Sequence, residues 1–119
     1  MTTITVRIYD MLNVKLDKIS LNSGIPKSSL ILFGLNMCLR NPSYKFEGLN
    51  YISLDNVDIS NDTNKSVRFT LKLPDEIKQA LKEISNTNNI SINSMINESV
   101  RHFCVVIGSD FLKQISTKQ

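Results

Sequence analysis

The sequence predicts a mainly α-helical fold with one two-stranded antiparallel ribbon, built from two copies of a strand–helix–helix unit. One observation is the stretch "VRFTLKLP" (67–74), in which apolar and polar residues alternate with the period of a β-strand before a helical pattern begins. The other is an internal repeat, because the shift that carries Ile4 onto Phe69 places "ITVRI" (4–8) on "FTLKL" (69–73), apolar on apolar and polar on polar. A lone strand leaves its backbone groups unpaired, so we expect the two strands to pair antiparallel.

The first copy is expected to span residues 1–40. After its strand, the same shift superposes the apolar positions of a first helix on those of the second copy. These positions are Leu12, Leu16 and Ile19. Gly24 stands at the turn between the two predicted helices, and "GIPKSSLI" (24–31) then matches "NISINSMI" (89–96). The first copy is therefore predicted to be a strand followed by two helices.

The second copy is expected to span residues 66–108 and carries clearer helix signals. Pro74 suits a first helical turn, and the apolar stripe Ile77, Leu81, Ile84 has helical spacing. Asn89 is predicted to adopt the left-handed conformation that ends this helix, and Ser91 to cap the next one. The buried face of that second helix is expected to consist of Met95, Ile96, Val100, Phe103, Cys104 and Ile107. Neither copy is large enough to bury its apolar face alone, so one shared core is expected.

Positive and negative charges are unevenly distributed along the chain. The net charge is +3, with +3 on residues 1–40, −2 on the connector 41–65 and +2 on residues 66–119, so two basic halves flank an acidic connector.

The connector is expected to be partly ordered, with a hairpin around Glu47-Gly48 and a polar tether over 55–66. Residues 109–119 are expected to form a C-terminal tail. No apolar run is long enough to span a bilayer and no signal peptide is evident, which predicts a cytoplasmic protein with no membrane partner.

Catalytic and metal-binding patterns are missing from the sequence. There are no paired carboxylates, nucleophile elbow or glycine-rich phosphate loop, so we expect no enzyme activity and no cofactor. His102 is the only histidine, and no CxxC or HxxxH spacing occurs, so no metal site is expected. Cys38 and Cys104 are interpreted as reduced thiols of the core.

The outward face of the predicted ribbon is polar and basic. A two-stranded ribbon fits the major groove of B-DNA, where Arg and Lys donate to guanine and Thr contacts either hydrogen-bonding edges or the thymine methyl. An ordinary solvated sheet face has a similar composition and is the alternative for the strands taken alone. The candidate base-contacting residues are Thr3, Thr5, Arg7, Arg68, Thr70 and Lys72.

The order strand, helix, turn, helix resembles the ribbon-helix-helix (Arc/MetJ/CopG) superfamily of DNA-binding proteins. The second copy carries the resemblance in "FTLKLP", "DEIKQALKEISN" and "SINSMI". The resemblance implies that Arg68, Thr70 and Lys72 read bases and that a phosphate binds at the start of the second helix, at Ser91, Ile92 and Asn93. In the first copy Pro26 replaces Ser91, which leaves Lys27 and Ser28 for that phosphate. Family members are usually homodimers, so this chain resembles a fused pseudo-dimer, as in the tandem TraY-type proteins of conjugative plasmids.

The resemblance implies sequence-specific binding of double-stranded DNA, and we expect a transcriptional repressor of a plasmid, phage or other mobile element. A relaxosome accessory or partition protein is an alternative within DNA binding. A protein-interaction module such as an antitoxin is the alternative from another class.

The second helix of the first copy is apolar nearly all round. Leu32, Phe33 and Met37 stand where the second copy has Asn97, Glu98 and His102. An apolar face of this kind requires a cover. The connector (44–54) or the tail segment "DFLKQI" could supply it within the chain, and self-association on DNA is the alternative.

Overall fold

A computed structural model of the chain describes residues 2–47, 53–54, 57–58 and 66–108. Over these ranges the fold is mainly helical, with four α-helices and a two-stranded antiparallel ribbon. The elements are β1 (Thr2–Tyr9), α1 (Asp10–Ser23), α2 (Lys27–Arg40), β2 (Ser53–Leu54), β3 (Val57–Asp58), β4 (Ser66–Leu73), α3 (Asp75–Asn88) and α4 (Ile92–Phe103), the last continued by a π-helical segment (Cys104–Gly108). None of the helices described is both long and apolar enough to cross a membrane.

The ribbon joins the first strand of each half of the chain. Strands β1 and β4 pair antiparallel over their full length, from Thr2 opposite Leu73 to Tyr9 opposite Ser66. The predicted antiparallel pairing of the two strands is thereby confirmed, with residues 4–8 opposite 67–71. The inner face of the ribbon packs on the helices, with Val6, Ile8, Leu71 and Leu73 buried and Ile4 and Phe69 half-buried against the same core.

The strand–helix–helix order occurs twice, and the helices of the two halves begin at equivalent positions of the repeat. Helix α1 begins at Asp10 and α3 at Asp75, and both have 14 residues. Each ends in a left-handed residue, Gly24 with φ 76° and Asn89 with φ 56°, as the sequence predicts.

The two helix–helix turns are also bonded alike. In each, a serine hydroxyl donates to the carbonyl oxygen five residues further on: Ser20 to Ile25 over 2.7 Å and Ser85 to Ile90 over 2.5 Å. The shift that carries Ser20 onto Ser85 also carries Ile25 onto Ile90. The repeat in the sequence therefore corresponds to a repeat in hydrogen bonding.

The second helices of the two halves, α2 and α4, cross in the middle of the core. A Cβ on Gly34 would lie 3.1 Å from the carbonyl oxygen of Ser99 and 3.1 Å from Cβ of Phe103, so the helices approach more closely than larger residues permit. Around this crossing the helices contribute the buried residues Leu12, Leu16, Ile19, Leu30, Ile31, Leu35, Cys38, Leu81, Met95, Ile96, Val100 and Phe103. Both halves thus supply one core, as expected from their size.

The start of the connector packs on α4. Phe46 is buried, and the ring of Tyr44 lies edge-on to His102 with 5.0 Å between ring centroids. Residues 44–47 of the connector therefore pack against α4 and beside Cys38, and Phe33 on α2 is 53% exposed. Residues 48–52 and the tail segment 110–115 lie outside the described residues, so the expected cover of α2 stays a prediction.

The described residues include part of the expected hairpin and a small part of the expected tether. Residues 44–47 form no strand, and the hairpin that is described pairs β2 with β3, beyond the expected turn at Glu47-Gly48. Gly48, most of the tether 55–66 and the tail segment 110–115 lie outside the described residues.

Candidate nucleic-acid interface

All six predicted base-contacting side chains lie exposed on the outer face of the ribbon. The strand register brings them together as three direct cross-strand pairs: Thr3 with Lys72, Thr5 with Thr70, and Arg7 with Arg68. Pairs on one face of a ribbon are spaced two residues apart along each strand, so the six side chains form a compact block of two columns. The block carries three cations and three hydroxyl groups, and it contains no carboxylate.

Arg7 and Arg68 lie opposite each other at one end of this block. The backbone N–H and C=O of Arg7 both bond to the side chain of Asn93, on the side of β1 away from β4. In an antiparallel ribbon this orientation defines a non-hydrogen-bonded pair, the kind in which opposed side chains come closest. Like charges directly opposite each other destabilise a sheet. An anion bound between the two guanidinium groups would relieve that repulsion.

Two asparagines of α4 bond to the outer edge of β1. Asn93 accepts from the N–H of Arg7 over 2.8 Å and donates to its carbonyl oxygen over 3.2 Å. Asn97 donates to the same oxygen over 2.8 Å and accepts from the N–H of Tyr9 over 3.1 Å. Asn97 is fully buried, and its amide also donates to the carbonyl oxygen of Asn93.

The family resemblance implies a phosphate at Asn93 and no role for Asn97. Their i, i+4 spacing puts both side chains on one helical face, which was the available signal. What the spacing cannot show is that this face meets the edge of a strand from the other half of the chain.

The start of α4 has the predicted serine cap. Ser91 caps the helix, and its hydroxyl oxygen accepts from the N–H of Ser94 over 3.1 Å. The N–H of Met95 donates to the carbonyl oxygen of Ser91. Within the described ranges no residue accepts from the N–H groups of Ile92 and Asn93. Two amides at a positive helix end therefore remain for an anion such as a phosphate.

The start of α2 differs. Pro26 precedes it without a side-chain cap, and Lys27 is the first helical residue. The Lys27 ammonium forms a 2.9 Å ion pair with Asp17, donates to Asn13 over 3.0 Å and lies 5.6 Å from the ring centroid of Phe69. Its charge is therefore already partly balanced within the protein. Ser28 is half-buried beside it.

A buried carboxylate on α4 holds the connector in place. Glu98 is only 4% exposed and accepts from the hydroxyl of Tyr44 over 2.6 Å and from the N–H of Glu47 over 3.0 Å. Burial and the bond to Glu98 raise the pKa of Tyr44 well above its ordinary value. These contacts have a structural role, because they join the connector to the core and do not involve the exposed side chains of the ribbon.

Both cysteines are free thiols, Cys38 buried and Cys104 half-buried. Burial raises the pKa of Cys38, against the opposing effect of hydrogen bonds with Ser99 and Tyr44, and it raises the pKa of Cys104 to about 11. The thiolate is the reactive form of cysteine, and these raised pKa values favour the neutral thiol at neutral pH. Among the residues described, no group of three or more His, Cys, Asp and Glu side chains is placed to hold a metal ion.

The exposed side of α2 borders an apolar groove of about 280 Å³. Phe33 lines it and packs edge-on to Phe103, with 5.8 Å between ring centroids. Leu32 and Met37, which the sequence grouped with Phe33, are half-buried against the core instead. Only Phe33 of the three is thus mainly exposed.

No protein-family model, no curated protein and no solved structure matches this chain.

Proposed function

We propose that this protein binds double-stranded DNA sequence-specifically by inserting the β1–β4 ribbon into the major groove. In this proposal the chain is a pseudo-dimer of two ribbon-helix-helix units, and its role is repression of transcription on a mobile element. The observation that carries it is the block of three cross-strand pairs, in which all six side chains are exposed and of types that contact base edges. An ordinary solvated sheet face has no need of two arginines directly opposite each other.

The flanking helix ends support the same geometry. The amides of Ile92 and Asn93 begin the helix whose first turn bonds to β1 at Arg7. A phosphate bound there would lie beside the strand that reads the bases. Contacts to phosphates fix the register of a protein on DNA, and contacts to base edges then select the sequence.

The direct experiment is selection from random duplexes, followed by affinity measurement on the recovered sequence and on a scrambled duplex at several salt concentrations. We expect a defined recovered site and a preference over scrambled DNA of at least about 10³-fold. The triple variant Arg68→Ala, Thr70→Ala, Lys72→Ala should lose most of that preference.

The matched control removes the same charge elsewhere. Lys78→Ala with Lys82→Ala deletes two cations from α3, as the triple variant deletes two from β4. We expect this control to keep the sequence preference of the wild type. Failure to recover any sequence, or an unchanged cognate affinity in the triple variant, would reject the proposed function.

A further inference from the structure

We propose that Asn93 and Asn97 are positioning residues that fix strand β1 for base reading, so that the β1 half of the target is read more stringently than the β4 half. This inference rests on the proposed DNA-binding function and adds to it two residues that need not touch DNA through their side chains. It concerns the backbone of Arg7 and Tyr9, to which both asparagines bond.

The Asn93 amide acts on Arg7 as a third strand would. A neighbouring strand accepts from a residue's N–H and donates to its C=O, and the Asn93 side chain makes this same pair of bonds with Arg7. Asn97 adds a second donor to the Arg7 carbonyl oxygen and binds the N–H of Tyr9. The outer edge of β1 is therefore bonded at Arg7 and at Tyr9, although the ribbon has only two strands.

Among the residues described, none gives strand β4 such support. The shift that relates the two copies places Ser28 and Leu32 of α2 at the positions of Asn93 and Asn97. Leucine has no hydrogen-bonding group, and a serine hydroxyl cannot reproduce the amide's paired donor and acceptor. Within the described ranges, no side chain bonds to the backbone of Lys72, the residue that corresponds to Arg7.

Base recognition depends on the direction of each hydrogen bond. A hydrogen bond weakens steeply when its angle departs from linear, so a side chain discriminates between bases only if the backbone that carries it is held in a fixed position. The strand around Arg7 is held to β4 by the ladder bonds of its neighbours, and the N–H and C=O of Arg7 itself are held to α4 by the asparagines. Among the residues described, the strand around Lys72 has only the ladder bonds of its neighbours, so Lys72 can shift to accept alternative base pairs.

The test is a variant in which two residues of α4 are replaced by the residues at the equivalent positions of α2. Asn93→Ser with Asn97→Leu copies Ser28 and Leu32, and it leaves the backbone amide of residue 93 and the net charge unchanged. Each base pair of the selected site is substituted in turn, and the affinity of the full-length wild type and of the variant is measured for each duplex. In the wild type we expect base-pair substitutions to reduce affinity most in the half of the site read by β1. In the variant these losses of affinity should be about tenfold smaller, while the losses in the other half of the site stay unchanged.

A purely structural role gives a different result, since a weakened fold lowers affinity for every duplex alike. The second variant, Asn93→Ser alone, changes only the half-buried asparagine and removes the paired donor and acceptor for Arg7, and it should show the same one-sided change if the double variant does not fold. Amide hydrogen exchange without DNA provides a separate measure, in which Arg7 and Tyr9 should lose protection in the double variant.

The outcomes separate the two proposals. If selection with the wild type recovers no sequence, the DNA-binding proposal fails and this inference falls with it. If a site is recovered but its penalties are equal in both halves, or unchanged by both variants, the positioning role is refuted while DNA binding stands.

Discussion

Gly34 of α2 lies against the backbone of Ser99 of α4, so close that a Cβ on the glycine would stand 3.1 Å from the Ser99 carbonyl oxygen. The shift that relates the two copies carries Gly34 onto Ser99, so these are also equivalent positions of the repeat. The two halves thus meet at matching positions of matching helices. This contact combines a residue without a side chain with one whose small hydroxyl donates within its own helix, to the carbonyl oxygen of Met95.

Gly34→Val should therefore destabilise the protein by about 1–3 kcal/mol, because the added methyl groups would overlap the backbone of α4. Helix propensity acts in the opposite direction, since Val is slightly better than Gly inside a helix. Chemical denaturation followed by circular dichroism measures the change. An increase in the free energy of unfolding would contradict the close crossing.

The opposed pair Arg7 and Arg68 leads to a prediction in which stability and affinity change differently. Arg68→Ala removes a like-charge contact, so the free energy of unfolding should stay the same or rise by up to about 1 kcal/mol. The cognate affinity should nevertheless fall by about 1–3 kcal/mol, because one base contact is lost.

Both quantities are measured on the same preparation, by denaturation and by fluorescence anisotropy with labelled duplex. Lys82→Ala on α3 is the control, with the same change of charge at an exposed position outside the proposed interface. Equal losses of DNA affinity in the two variants would mean that Arg68 contributes only its charge.

Stability should fall in alkaline solution. The folded pKa of Cys104 is raised to about 11 from 9.0, and those of Cys38 and Tyr44 are also raised, in each case chiefly by burial. A raised pKa means that the fold favours the neutral form. The stabilisation is therefore complete below about pH 9 and is lost as the pH rises through the folded pKa values.

The free energy of unfolding, measured from pH 7 to 11, should decline above about pH 9. Cys104→Ala should make the curve flatter between pH 9 and 11, and Tyr44→Phe should make it flatter above pH 10. A stability that is constant across this range would show that these groups are not protected from ionisation.

The strands, the turns and the outward face of the ribbon were predictable because each is encoded locally. Period-two alternation identifies β4, and the left-handed residues Gly24 and Asn89 mark the turns. The pairing of β1 with β4 followed from the repeat, and the inward face of each strand from the side-chain alternation, which a slip of one residue would invert. The register did not follow, since residues 4–8 lie opposite 67–71 rather than 69–73.

The polar contacts of α4 were not predictable in the same way. Because they are polar, Asn97 and Glu98 are expected on the solvent-exposed face of an amphipathic helix, but both are buried. Asn97 meets the open edge of β1, and Glu98 meets the connector through Tyr44 and Glu47. Their partners lie far away in the sequence, and periodicity carries no information about such pairings.

Asp17 should restrain the contribution of Lys27 to DNA binding. The two side chains form a 2.9 Å ion pair at the start of α2, where the resemblance implies a phosphate. Asp17→Asn removes a negative charge there and leaves the lysine free to bind a phosphate. We expect affinity to rise severalfold at low salt, and the slope of log K against log salt to steepen by up to about 0.9.

Glu83→Gln on α3 makes the same change of charge outside the proposed interface and is the matched variant. If both substitutions raise affinity equally, the gain is a general effect of net charge. If Asp17→Asn alone raises it, Lys27 contacts the phosphate backbone.

The target should be asymmetric, because the two strands present different side chains. A homodimer offers the same readers twice and therefore selects a palindrome. Here β1 offers Thr3, Thr5 and Arg7, whereas β4 carries two cations, Arg68 and Lys72, on either side of one threonine. Arg and Lys pair best with guanine, so the half read by β4 should be the richer in guanine.

The two helix ends add a second asymmetry, in the phosphate contacts. Helix α4 begins with a serine cap that bonds to Ser94, whereas α2 begins after Pro26 with no side-chain cap and with Lys27 paired to Asp17. Phosphate protection should therefore be stronger on the side that α4 contacts. Footprinting on the selected duplex measures it, with Ser91→Ala expected to reduce protection on that side alone. A perfect palindrome centred on each bound chain and protected equally on both sides would show that the ribbon does not read DNA as proposed, because no arrangement of these six side chains is symmetric.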